Sequence, residues 1–311
     1  MTGTDKPEAR HPVWPPRAYR QYVDWAMKRW QHDLTRHRAR LTRHVRPGAR
    51  VLHIGCGWDR SNTAKPLLEI CSVIGIDLDR NALERYPATV YHADASRMPF
   101  SGGTFDTVYC EYLLEHVSGI DALFGEVSRV LKPGGVFIFL TPNRWSYKSV
   151  IASVSGHGIH RWAARILRPD VRSPEDVYPT LYRANTPDAI ERLSRKAGLS
   201  VLELELQSNG PTWFRRLPGV FEIGWFAHVL IDWIPGLAGL KCALEGALVK
   251  PGIGAVRPLE HRCTRCGFEP MGPTVSGWRC SSCDLLYEKR GQVVGTLGIS
   301  PRVDRSEWKQ T

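Results

Sequence analysis

From Arg50 onward, short apolar runs alternate with stretches in which apolar residues recur every three or four positions. The runs predict strands at 50–54, 73–77, 89–91, 105–110, 135–140 and 200–206, with a last strand at about 244–249. The helical periods predict helices at about 61–70, 79–86, 120–131 and 187–197. The last of these carries its own end signals: Thr186 as N-cap, Pro187 in the first turn and Gly198 past the end. This alternation predicts an α/β chain: a doubly wound, mostly parallel sheet with helices on both faces.

Ahead of that pattern, Tyr19, Val23, Ala26, Trp30, Leu34, Leu41 and Val45 recur at spacings of three, four and seven. They predict one long helix between Pro15-Pro16 and Pro47-Gly48. Its other face holds Arg17, Arg20, Arg29, Arg36, Arg40 and Arg43. Two readings fit: a helix packed on the next domain with a solvated basic face, or a contact with an anionic substrate, a lipid surface or RNA. The expected division is a basic N-terminal helical extension at 1–47, a main domain at 48–256 and a small C-terminal module at 257–311.

Two insertions break the alternation, at about 143–186 and 211–240. The first contains Trp145, Tyr147, His157, His160, Trp162, Tyr178 and Tyr182; the second contains Trp213, Phe214, Phe221, Trp225, Phe226 and Trp233. Both follow strands, where loops roof a site at the carboxyl ends of a parallel sheet. Glu222, His228, Asp232 and two prolines argue against a membrane span in the second. It reads as a lid or core helix, with an interfacial helix as the alternative.

Charge sharpens this picture. The net charge is +11, but residues 1–46 hold 11 Lys/Arg against 4 Asp/Glu, while residues 47–256 hold 22 against 21. A nearly neutral body lowers the case for a large nucleic-acid groove. Met1 to Arg10 is polar, without the apolar core of an export signal, and no run of about 20 apolar residues lacks charge. The expected location is cytoplasmic, with peripheral membrane contact as the alternative. Eight cysteines in such a chain point to thiols and metal rather than disulfides.

The chemistry starts at Val51-Leu52-His53-Ile54-Gly55-Cys56-Gly57, an apolar strand entering a Gly-x-Gly turn. Asp77 ends the next apolar run 20 residues after Gly57. This Rossmann-like layout suits the ribose of a nucleotide-like cofactor. A dinucleotide fingerprint needs a third glycine, and Arg60 stands there. Further on come His92-Ala93-Asp94-Ala95, Met98-Pro99-Phe100, Phe105-Asp106-Thr107-Val108-Tyr109, Glu115-His116-Val117 and Leu131-Lys132-Pro133-Gly134-Gly135.

In this ordered set the chain resembles the class I S-adenosylmethionine-dependent methyltransferases, above all the small-molecule subgroup of the ubiquinone and menaquinone biosynthesis type. The resemblance spans about 48–207. It implies that Gly55 and Gly57 let the backbone approach the cofactor, and that Asp77, followed by Leu78, accepts from the ribose hydroxyls. It further implies that Asp94 binds the adenine amino group, with Ala95 and Met98 against the ring. His116 would face the site as a general base, or pack and hold its loop. Glu111 and Glu115 are weaker candidates that fit local hydrogen bonding, and Cys56 and Cys110 read as packing residues. Tyr178 to Thr186 resembles a stretch that shapes the acceptor pocket, where Arg144 and Arg183 would grip an anion. One residue departs from the pattern: His53 stands where the family carries an acid that helps hold the cofactor's ammonium.

Near the C-terminus, Cys263-x-x-Cys266 and Cys280-x-x-Cys283 are separated by 13 residues. Two such pairs make a closed four-thiolate zinc site of the structural kind, with His261 as a spare ligand. The segment 258–300 resembles the zinc-ribbon modules related to the tRNA-methyltransferase activator subunit. Such a ribbon docks on the catalytic domain, binds a protein partner or touches nucleic acid. The leading expectation is methyl transfer to a small-molecule or lipid-linked acceptor. The alternatives are an RNA methyltransferase and a non-catalytic zinc-ribbon scaffold on a degenerate Rossmann domain.

Overall fold

The computed structural model describes residues 16–59, 61–146, 149–150 and 180–296. Arg60, Tyr147, His157, His160, Trp162 and Tyr178 lie outside the described residues, as does most of the first insertion.

The strands and helices of the main domain follow in the order β1 (Arg50–Ile54), α3 (Ala64–Leu68), β2 (Ser72–Asp77), α4 (Arg80–Leu83), β3 (Thr89–His92), β4 (Phe105–Glu111), α5 (Ile120–Val130), β5 (Leu131–Pro142), α6 (Pro187–Lys196), β6 (Ser200–Gln207), α7 (Val220–Trp233) and β7 (Ala243–Val249). Two helices precede them, α1 (Arg17–Met27) and α2 (Asp33–His44). The strands match the apolar runs to within a few residues. α3 and α4 are shorter than expected. Asp59 takes the backbone N–H groups of Thr63 and Ala64, which delays the start of α3 to Ala64.

Within the main domain the strands lie in the order β6, β7, β5, β4, β1, β2, β3. β1 to β5 run parallel; β7 is antiparallel to both β5 and β6. After β1 the chain winds outward through β2 and β3, then returns to place β4 on the other side of β1. The carboxyl ends of β1 and β4 therefore flank the point where the winding reverses, the crevice in which such sheets bind ligands. One core fills the layer under α5 and α6 with Leu52, Ile54, Val108, Phe124, Phe137 and Phe139. Val51, Tyr109 and Ile138 pack on the other face beneath Leu41 and Val45.

The single long N-terminal helix is not formed. It breaks at Lys28–His32 because Trp30 turns inward: its indole N–H donates to Asp232 Oδ2 at 2.6 Å, and the ring meets Trp225 edge-on. His32 then caps α2 by accepting from the Leu34 N–H. The basic face of α2 is not solvated at its centre. Arg40 is buried and donates to Glu245 at 2.7 Å and to Glu203 at 2.8 Å, while Arg36 reaches the other Glu245 oxygen at 3.1 Å. Arg43 and His44 complete the cluster on Glu203.

The C-terminal strands β8 (Gly272–Thr274), β9 (Gly277–Arg279), β10 (Leu286–Arg290) and β11 (Val293–Thr296) extend the same sheet. β11 pairs in parallel with β3, and the Val90 N–H donates to the Gln292 carbonyl at 3.0 Å. His261 bridges to Phe100, accepts or donates with the Tyr91 hydroxyl at 2.9 Å, and stacks on Trp278 at 3.7 Å. This segment shares a hydrophobic core with the main sheet through Met271, Leu285, Tyr287 and Val294.

Among the described residues no helix is long and apolar enough to cross a membrane. Removing one partner of a buried ion pair strands the other charge, at a cost of about 3–5 kcal/mol. Glu245→Ala removes the buried carboxylate that Arg36 and Arg40 share, leaving Arg40 to Glu203 and Glu205 and Arg36 to backbone carbonyls. Urea unfolding of this variant should show a loss of that order; a loss under about 1 kcal/mol would show that the clamp is dispensable.

Candidate functional site

The turn after β1 needs glycine at both ends. Gly55 has φ +67°, and a Cβ there would meet Leu113 at 2.8 Å. Gly57 has φ +49° with nothing within 4 Å of a Cβ, so its backbone borders open space. Left-handed backbone of this kind is strained for other residues. The Gly55 and Cys56 N–H groups both donate to the Ile76 carbonyl, which ties the turn to the end of β2. Asp77 closes the arrangement. Its Oδ2 accepts from Gly57 N–H at 2.7 Å and its Oδ1 from Asp79 N–H at 2.8 Å. Burial holds its carboxyl above the usual range, and the backbone donors pull the other way.

The neighbouring predicted residues take distinct positions. Leu78 is exposed beside the turn, and its carbonyl meets His92 at 3.1 Å. Asp94 Oδ1 accepts from Ser96 N–H, shaping the loop after β3, and Ala95 is half-buried. Met98 is fully buried in the core and its N–H donates to Glu126, so its side chain forms the floor under that loop rather than an open wall. Gly55, Gly57, Asp77, Leu78, Asp94 and Ala95 thus share one edge, along the ends of β1, β2 and β3.

On the β4 side, His116 is partly exposed, with Nε2 at 3.8 Å from the buried Glu115. Glu115 Oε2 accepts from the Thr141 hydroxyl at 3.0 Å, and that hydroxyl accepts from Asn185 Nδ2 at 2.6 Å. The Glu115 carbonyl accepts from Leu181 N–H at 2.6 Å. The end of the first insertion is thereby stitched to the loop that carries His116. Arg183 bonds the Ser118 carbonyl, and Arg144 lies over Trp145.

His53 does not point at open space. It is buried, stacks on Tyr109 with centroids 4.2 Å apart, and its Nδ1 meets the Tyr86 hydroxyl at 3.1 Å. Burial, with a smaller push from His37, lowers its pKa to about 3, so it is neutral. His37, from α2, lies on the same side and is likewise pushed down to about 3 by burial. Its Nε2 is 3.5 Å from Glu111 Oε1, an atom without a hydrogen-bond partner. His53 pairs with Tyr109, and Glu111, two residues further along β4, lies on the same face as Tyr109. Burial raises the Glu111 pKa, against the hydroxyls of Ser61 and Thr63. The packing of α2 over this pocket is a tertiary feature, so the position of Glu111 was not readable from local spacing. The signal for it was the missing acid at position 53.

The four C-terminal cysteines come together. The sulfurs of Cys263, Cys266, Cys280 and Cys283 all lie within 4.8 Å of one another, with 3.5 Å between Cys263 and Cys283 and between Cys266 and Cys280. His261 is not among them; its ring is held in the contact with Tyr91 and Trp278.

The family of methyltransferase domains matches residues 52–139. The ubiquinone biosynthesis O-methyltransferase of Burkholderia pseudomallei is 30% identical over 213 residues, covering 61% of this chain and 85% of that protein. The chain belongs to the S-adenosylmethionine-dependent methyltransferase family. Another member, the sterol 24-C-methyltransferase of Schizosaccharomyces pombe, is 32% identical over 106 residues, 30% of this chain. This chain spans 28% of that protein and 52% of the demethylmenaquinone methyltransferase of Staphylococcus saprophyticus, less than two thirds of either. Among solved structures, a chain from the complex of the Haloferax volcanii Trm112 methyltransferase activator with a methyltransferase aligns over 76% of this chain and 96% of its own length, at 17% identity and a TM-score of 0.48.

The neutral histidines give this methyltransferase fold a pH dependence. In the unfolded chain a histidine takes up its proton near pH 6.5, whereas folded His37 and His53 do so only near 3. Their full contribution is present above pH 6.5 and is lost as pH falls towards 3, by roughly 1 kcal/mol per histidine for each pH unit. Thermal unfolding should occur at a lower temperature at pH 5.5 than at 7.5, with a shallower drop in His53→Phe. Equal slopes for both chains would remove His53 from this account.

Proposed function

We propose that this chain transfers the methyl group of S-adenosylmethionine to an oxygen, nitrogen or carbon of a small-molecule or lipid-linked acceptor. One observation carries the reading. The open backbone at Gly57 and the Asp77 carboxylate behind it lie at the ends of β1 and β2, and Glu111 ends β4 on the other side of β1 with a buried oxygen that has no hydrogen-bond partner. The donor set suits the cofactor's three parts. Asp77 has lone pairs to spare for ribose hydroxyls, Asp94 and Ala95 flank the adenine position, and Glu111 faces the position of the ammonium. Glu111 thus takes over the role of the acid that is absent at position 53.

The cofactor supplies an electrophilic methyl on a sulfonium; the chain aligns it and keeps water out. His116, braced through Glu115, Thr141 and Asn185, takes the acceptor's proton where the acceptor is a hydroxyl or amine. An apolar acceptor fits the aromatic second insertion, and the sterol and ubiquinone methyltransferases to which the chain is similar support it. The RNA reading is weakened because Arg36 and Arg40, central to the basic extension, are engaged with Glu245.

The cysteine cluster fits a zinc ion as a closed structural centre. Tetrahedral thiolates about 2.3 Å from zinc stand about 3.8 Å apart, close to the 3.5 Å spacings here. Cys263, Cys266, Cys280 and Cys283 would hold it, with no open position for catalysis.

Calorimetry separates the cofactor roles. S-Adenosylhomocysteine should bind the native chain and fail to bind Asp77→Ala. Glu111→Gln should weaken it at least tenfold while leaving 5′-methylthioadenosine, which lacks the amino-acid part, unchanged. A native chain that binds neither nucleoside refutes the function. His116→Ala should keep cofactor binding and lower labelled methyl transfer into lipid extracts by about a hundredfold. Zinc should be present in stoichiometric amount by elemental analysis and lost in Cys263→Ser/Cys280→Ser; metal-free native protein would remove the zinc assignment.

A further inference from the structure

Tyr112, just after β4, has φ +53°, a left-handed backbone that a bulky residue keeps only where its surroundings impose it. The consequence is an exchange of faces. Along an unbroken strand, residues 109, 111 and 113 would share one face and 110, 112 and 114 the other. Tyr109 and Glu111 do lie on the face that α2 covers, against His37. Tyr112 joins them there: its hydroxyl donates to Asp33, one turn ahead of His37 in α2. Leu113 goes to the other side and packs, like Ala95 and Val117, against the core that α5 covers.

That exchange sets Leu113 on the glycine turn. It is the side chain that a Cβ at position 55 would strike, at 2.8 Å. The Leu113 carbonyl in turn accepts from the His116 N–H at 2.9 Å, so the loop that carries His116 starts from the same residue.

Two contacts hold Tyr112 in its strained form. Its N–H donates to the Leu140 carbonyl at 2.8 Å, a bond that any side chain at 112 would allow. The hydroxyl contact belongs to tyrosine alone. Its acceptor, Asp33, is 4% exposed, and the same carboxylate oxygen takes the Asn209 side-chain N–H, just after β6, at 3.2 Å. A buried carboxylate does not give up such donors cheaply. Nor is α2 free to follow, since Arg36 and Arg40 fasten it to Glu245.

We propose that Asp33 and Tyr112 form a positioning pair: the carboxylate keeps Tyr112 left-handed, and Tyr112 so held seats Leu113 on the Gly55 turn that receives the cofactor. Neither residue touches a reacting atom. The inference rests on the methyl-transfer reading and adds to it a requirement for α2, which lies outside the residues matched by the family of methyltransferase domains.

Calorimetry with S-adenosylhomocysteine on the full chain, beside urea unfolding, tests it. Tyr112→Phe keeps the ring and removes the donor; it should fold and bind at least tenfold more weakly. Asp33→Ala should lose as much, and the double variant no more than either single one, because both remove one contact. Asp33→Asn keeps an acceptor oxygen for the hydroxyl and should restore binding to within about threefold of native, a rescue that a general loss of stability would not give. Leu113→Ala leaves the pair intact and should also bind at least tenfold more weakly, which decides the matter if Tyr112→Phe does not fold. Native affinity in folded Tyr112→Phe or in Leu113→Ala overturns the positioning role, as does Asp33→Asn binding no better than Asp33→Ala. A native chain that binds no S-adenosylhomocysteine overturns the methyl-transfer reading and this role with it.

Discussion

The buried contact of Arg40 and Arg36 with Glu245 determines much else in this molecule. Desolvating three charges is expensive, and only close geometry offsets it. Once the contact forms, α2 is held against the sheet in one register. That register lays Leu41 on the core and His37 over Tyr109 and Glu111. It also delivers Asp33 to the Tyr112 hydroxyl. A basic extension that looks like a tool for binding anions is in large part a structural strut, whose charges are neutralised by the chain's own acids.

The same strut accounts for the residue that departs from the family pattern. A carboxylate at position 53 would be sealed under α2 between two tyrosines, where ionisation is penalised. Neutral histidine stacks there without that penalty. The neighbouring strand carries Glu111 at the margin of the same face, where the hydroxyls of Ser61 and Thr63, just before α3, reach it. In the proposed reading the acid of the pocket stands at the end of β4 rather than of β1.

Much of this architecture was legible in advance. Period-two and continuous apolar runs are local, so every main-domain strand was anticipated within a few residues. Asp77 and the paired cysteines were legible because their spacing is itself the geometry. The break at Trp30 was not, because helical periodicity continues through it and only the distant Asp232 and Trp225 turn the indole inward. Nor was the joining of β11 to β3, since parallel pairing between segments 200 residues apart leaves no local mark.

That last pairing bears on where the sheet stops growing. β3 would otherwise present a free row of N–H and C=O groups, the template from which sheets recruit other chains. The added strands move the border outward to β8, three residues long with Pro273 at its centre, which cannot offer a continuous ladder. At the opposite border, β6 carries a bulge between Val201 and Glu203 and sets Glu203 and Glu205 along its length. Among the described residues the eleven-stranded sheet thus ends on both sides in strands unfit for further growth, a safeguard against fibre formation written into its two margins.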